Sequence, residues 1–206
     1  MGAVVGKEDS VKEFMDCIFI QILALYSYSD LKIVVYSKNS DKWDFLKTVP
    51  HCWNNEHTRR YFATSIESFS SFSVEIEKLF DARAVNDEAV QEEDDGSGSE
   101  KYTSYRDYHP YYLFIIDNIE DLRNNPLIHK ILHYKRNLGF SILTTTTTIS
   151  LLPAETTNFV SVTRDKCVIV WGDSSTKELE FKPDLNHGLV DMNYFASLLA
   201  NIPVQI

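Results

Sequence analysis

The run Tyr111-Tyr-Leu-Phe-Ile-Ile-Asp117 constrains this chain more than any other segment. Its apolar character is continuous rather than alternating, so the strand it predicts must be covered on both faces, as a central strand of a helix-flanked parallel sheet is. Shorter strand-like runs precede and follow it: Gly2 to Gly6, Leu31 to Tyr36, Arg59 to Ala63, Gly139 to Leu143 and Phe159 to Val162. Helical patterns alternate with them. Val11, Phe14, Met15, Ile18, Ile22 and Leu25 recur at three- and four-residue spacing, and so do Ile66, Phe69, Phe72, Ile76, Leu79 and Phe80. Ser10-x-x-Glu13 and Thr64-x-x-Glu67 read as capping boxes opening these two helices. Ser40 to Val49 predicts a short helix stopped by Pro50. Pro126 suits the first turn of a helix faced by Leu127, Ile128, Ile131 and Leu132. Cys167 to Trp171 and Glu178 to Phe181 flank a turn and predict a hairpin, and Met192, Phe195, Leu198 and Leu199 mark a closing helix. Strands alternating with helices predict an α/β fold, a mostly parallel sheet with helices on both faces and an antiparallel edge hairpin.

The 206 residues read as one domain, and only Met1 precedes the first strand, so the sequence reads as a piece of a longer chain. No apolar run reaches the roughly 18 residues a membrane span needs, and the first residues lack the pattern of a secretory signal. Net charge is −10, but seven of the 30 acids fall between Asp87 and Glu100; the remaining 23 against 20 bases leave −3. Nothing in that balance resembles the basic face that nucleic acid requires, so no nucleic-acid partner is expected. The acidic, Gly/Ser-bearing stretch 86–107 holds few large apolar groups and reads as a mobile loop. Cys17, Cys52 and Cys167 are odd in number, widely spaced and read as reduced thiols.

Phosphate ligands of such folds bind beyond the carboxyl ends of the strands. The first strand-to-helix turn holds Gly6 and Lys7, which resemble the end of a phosphate-binding loop, G-x-x-x-x-G-K-[ST]. Three features fail. The glycines of Gly2-Ala-Val-Val-Gly6 are separated by three residues, Glu8 stands where a magnesium-binding hydroxyl belongs, and no eight-residue loop fits before Ser10. At the end of the central strand, Asp117 could hold magnesium, but Asn118 stands where a water-activating carboxylate would be, and an amide cannot take up the proton. A strand closed by an Asp-Asn turn is the other account of these residues. Gly6, Lys7, Asp117 and Asn118 thus form a candidate nucleotide site with its chemistry missing. His129 and His133 are spaced as a helical pair but lack a third ligand, so no metal is expected. No cofactor is expected either. The run Thr144 to Thr148 could line a site with hydroxyls, or simply end a β-branched strand.

Three further segments carry a resemblance: Gln21 to Val35; Trp43-Asp-Phe-Leu-Lys-Thr-Val-Pro-His-Cys-Trp53; and Arg60-Tyr-Phe-Ala-Thr64. Together with Leu113 to Asp117, Gly139 to Ile142 and Glu180 to Asp184, they are similar to the degenerate ATPase-like domain that lies between membrane helices and motor domains in the FtsK/SpoIIIE motors of type VII secretion, the EssC/EccC family. The resemblance spans nearly the whole chain, with the acidic stretch as an insertion. It implies a RecA-like (P-loop NTPase-like) fold and a non-catalytic coupling or regulatory module. The partners implied are the adjacent motor domain and membrane segment of the same protein, with other secretion subunits possible. The implied place is the cytoplasmic face of the bacterial membrane. It implies a monomer in isolation and a hexamer only for the full protein. Trp43, Pro50, His51 and Trp53 are then either a folding element or a partner surface. The competing reading is an active or nucleotide-binding ATPase that uses Lys7 and Asp117.

Overall fold

A computed structural model describes residues 1–94, 108–172 and 177–202. The chain runs β1 (Gly2–Gly6), α1 (Glu8–Leu25), β2 (Leu31–Tyr36), β3 (Phe62–Ala63), α2 (Ile66–Asp94), β4 (Tyr111–Ile116), α3 (Pro126–His133), β5 (Phe140–Thr146), β6 (Asn158–Val162), β7 (Cys167–Trp171), β8 (Lys177–Phe181) and α4 (Met192–Ala200). Eight strands form one sheet in the order β3-β2-β4-β5-β1-β6-β7-β8. The first six are mutually parallel, and β7 and β8 add an antiparallel hairpin at the edge. The α/β expectation and the edge hairpin hold.

Side-chain alternation along the buried strands divides the interior into two cores. Ile33 and Val35 of β2 point to a core shared with α1, α4 and the segment 43–52, while Val34 and Tyr36 point to one shared with α2 and α3. All six residues of β2 are buried, and Phe114, Ile115 and Ile116 of β4 are fully so. The central strand thus has both faces covered, as its composition demanded.

Four local expectations are corrected. The capping box at Ser10 does not form: α1 begins at Glu8, with Lys7 as a cap that makes no side-chain bond, and Ser10 sits buried in the first turn. The second box is displaced by one residue. Ser65 Oγ accepts from the Ser68 backbone N–H, and Ser68 Oγ accepts from that of Ser65, so a reciprocal serine pair starts α2. The acidic segment is not a loop throughout, because α2 continues to Asp94; the rest of it, 95–107, lies outside the described residues. Between β2 and β3 the expected short helix appears as two 3-10 turns, Asp44–Lys47 and Pro50–Cys52.

Candidate functional site

Two strand ends hold the residues singled out in the sequence, and β5 separates them in the sheet. At the first, β1 ends at Gly6 and α1 starts at Glu8, leaving Lys7 as the only residue between. A loop that would wrap phosphates with backbone N–H groups does not exist here. Gly6 is required for another reason: a Cβ on it would collide with the carbonyl oxygen of Val162 in neighbouring β6. Lys7 is exposed. It borders an open cavity of about 780 Å³ beyond the ends of β1 and β6, with Ser10, Thr147, Thr148, Thr163 and Arg164 among its walls. Glu8 and Asp9 place two carboxylates in the first turn of α1, where an anionic ligand would otherwise gain from the helix dipole.

The second end is closed. Asp117 follows β4, and its carboxylate is surrounded by donors. Oδ1 accepts from Lys42 Nζ at 2.8 Å, Thr145 Oγ1 at 2.8 Å and Trp43 Nε1 at 3.2 Å. Oδ2 accepts from Ser37 Oγ at 2.6 Å. Lys42 also donates to Thr145 Oγ1 at 2.9 Å, so ammonium, hydroxyl and carboxylate form a triangle. The Lys42 and Asp117 side chains are only 13% and 19% exposed. A lysine ammonium therefore occupies the coordination position that a divalent cation would need. A second lysine repeats the arrangement: Lys38 pairs with Asp121 at 2.8 Å. Tyr36 donates to the same carboxylate at 3.2 Å, and burial, with the charge of Asp121, pushes its phenol up to about 12. Asn118 is exposed and caps a 3-10 turn through its backbone, without a side-chain bond. Neither Asp117 nor Asn118 borders the cavity that Lys7 lines. The structure does not assemble the four candidate residues into one pocket.

The tryptophan-rich string connects this closed end to the core. Trp43 is fully buried, edge-on to Phe19 at 5.5 Å, while its indole N–H reaches Asp117. Pro50 opens the second 3-10 turn. His51 is buried, and its Nε2 lies 2.9 Å from the Tyr26 carbonyl oxygen, which makes Nε2 the donor and leaves the lone pair on Nδ1. That Nδ1 and the Nζ of Lys32, a lysine only 1% exposed, have no hydrogen-bond partner among the described residues. Burial, opposed by the bond to Tyr26 and aided by the charge of Lys32, lowers the pKa of His51. Trp53 is half-buried, stacked on His57 with Arg60 over its ring at 4.5 Å. Among the described residues no group of three or more metal-ligating side chains occurs.

Sequence reasoning missed Ser37 and Lys42. Thr145 belongs to a threonine run that is visible in the sequence, but its contact with Asp117 depends on β5 lying beside β4, which the order of strands along the chain does not state.

No family model matches the chain, and no curated protein does. Solved structures do. EssC ATPases 2 and 3 from Geobacillus thermodenitrificans align with a TM-score of 0.58 at 13% identity, over 98% of this chain and 44% of that one. The cytoplasmic domain of the Thermomonospora curvata type VII secretion ATPase EccC gives 0.56 at 11%, over 89% and 23%. Thermomonospora curvata EccC ATPases 2 and 3, in complex with a signal sequence peptide, give 0.54 at 10%, over 89% and 36%. The fold is that of a RecA-like ATPase domain. The chain spans less than half the length of each of these proteins, and no described helix is long and apolar enough to cross a membrane.

Proposed function

We propose that this chain is a non-catalytic, ATPase-like module of a type VII secretion motor protein. In that reading it lies at the cytoplasmic face of the bacterial membrane, between a membrane segment and motor domains of the same polypeptide. Its role is to pass assembly or conformational state from one to the other during protein export. The likeness in fold to EssC and EccC domains supports the setting. The absence of catalysis rests on one observation above all: the carboxylate that would hold magnesium is already bound by Lys42, Thr145, Trp43 and Ser37. Magnesium could enter only by breaking a largely buried ion pair, and removing one partner of such a pair is costly. The residue after Asp117 supports the same reading: Asn118 stands where a water-activating carboxylate would be, and an amide cannot take up the proton.

The experiment is ATP turnover by the purified chain with magnesium, together with calorimetric titration of Mg-ATP. The expected result is no turnover above the protein-free rate and no saturable heat. Turnover abolished by Asp117→Ala would overturn the reading in favour of an active ATPase using Lys7 and Asp117. Micromolar binding without turnover would instead make the cavity beside Lys7 a regulatory nucleotide site.

A further inference from the structure

Two polar side chains are buried side by side where the tryptophan-rich string meets β2. Lys32, the second residue of β2, is 1% exposed, and His51, in the second 3-10 turn, is 4% exposed. Both face one ring. The Lys32 ammonium lies over Tyr28, 5.4 Å from its centroid, and His51 stands edge-on to the same ring with centroids 6.4 Å apart. The Nε2–H of His51 is used on the Tyr26 carbonyl, so Nδ1 presents a lone pair. Lys32 Nζ presents only protons. Both atoms are closed to solvent, and neither has a hydrogen-bond partner among the described residues. The positive charge of Lys32 acts on His51 and helps to lower its pKa. A pure donor and a pure acceptor thus share one buried region without bonding to each other. Groups left in that state forfeit their hydration and gain nothing in return.

We propose that Lys32 and His51 form the binding site of one internal water molecule, which accepts from Lys32 Nζ and donates to His51 Nδ1. The site stands apart from the function proposed above and does not depend on it. The chemistry of the two atoms selects the occupant. A metal cation would meet the Lys32 ammonium, and an anion would meet the Nδ1 lone pair. A carboxylate of the chain does not serve either, because Glu56, whose charge reaches Lys32, makes no bond to it. A neutral molecule that both accepts and donates satisfies the two at once, and between atoms closed to solvent the smallest such molecule is water. A donor and an acceptor held farther apart than a direct hydrogen bond are the usual setting for a bridging water. Internal waters occupy the places where buried polar groups otherwise go unmet. The water gives the segment 43–53 a second attachment to the sheet. Trp43 holds Asp117 beyond the carboxyl end of β4, and His51, through the water, holds Lys32 near the amino end of β2.

A high-resolution crystal structure of the purified chain, from crystals grown in sodium bromide, tests this. The expected result is one peak of water-like density, about 3 Å from both Lys32 Nζ and His51 Nδ1, with no anomalous signal at the bromide edge. Three results overturn the proposal: no density between the two atoms, density bonded to only one of them, or an anomalous peak, which would assign the site to an anion. Lys32→Met, close to lysine in length and shape but without a donor, is expected to lose the peak. A peak that persists on His51 in that variant overturns the bridge. Nitrogen NMR of the native chain at neutral pH gives a readout that needs no variant. The His51 Nδ1 resonance is expected at the position of an unprotonated nitrogen that accepts a hydrogen bond. A protonated Nδ1 overturns the proposal, because it could not accept from the water.

Discussion

The ends of β1 and β4 are both carboxyl ends of parallel strands, and they are built in opposite ways. At β1 Lys7 alone separates strand from helix, and the space beyond it is open to solvent. At β4 the geometry has been kept and filled, with four donors on one carboxylate. One end is open because its backbone is short, and the other is full because side chains from two segments converge on the Asp117 carboxylate. Substitutions tell which of the two ends is a tolerant surface and which a structural keystone.

The largest effect is expected at the filled end. Asp117→Ala strands a nearly buried Lys42 and leaves the Trp43 indole and the Thr145 hydroxyl without their acceptor; removing one partner of a buried pair costs about 3–5 kcal/mol. Urea unfolding would show it as a lower midpoint, and a loss below 1 kcal/mol would mean that the network is ornamental. Lys42→Met, which removes a buried charge but leaves the carboxylate three donors, is expected to cost less than Asp117→Ala.

Gly6→Ala comes next, and it probes the shortened end through its packing. The new methyl meets the Val162 carbonyl oxygen, and overpacking of this kind costs about 1–3 kcal/mol, read as a fall in the unfolding midpoint. A neutral result would show that β1 and β6 can move apart.

A smaller, pH-dependent effect is expected at His51, which ties the tryptophan-rich string to Tyr26. Its folded pKa lies below the ordinary histidine value of about 6.5. The unfolded chain therefore binds the proton more readily, and stability falls as pH drops through that value. Lys32, the Cys52 thiol, the Tyr28 ring and the more distant Glu56 and Arg60 surround this region. Unfolding midpoints measured from pH 7.5 to 5.5 should decline, and His51→Gln should flatten the decline. The smallest effect is expected for Lys7→Ala. An exposed side chain without an ion pair among the described residues should change stability by less than about 0.5 kcal/mol. A change as large as that at Asp117 would erase the contrast between the two ends.

The sheet was legible because its strands carry their burial in their composition: Tyr111 to Ile116 has no polar residue to turn toward water. The helix starts were not. Ser10-x-x-Glu13 has the letters of a capping box, but the turn after Gly6 is so tight that the helix is capped at Lys7, three residues earlier. Ser65 displaced Thr64 because Ser68 could answer it reciprocally. The acidic stretch was misread from 86 to 94 because poor burial was taken as poor helix formation. Ala89, Gln91, Glu92 and Glu93 all propagate a helix well once the buried turns of α2 have nucleated it. At the candidate site, Asp117 was legible as the residue closing an apolar strand. Its partners were not, since Ser37 and Lys42 come from the segment after β2 and Thr145 from β5, and only the folded order of strands brings them together.

Lys42 carries one last consequence. A counter-ion that is part of the chain cannot be chelated, exchanged or released with a product. The carboxyl end of β4 thus carries its own charge balance, independent of any dissolved cation.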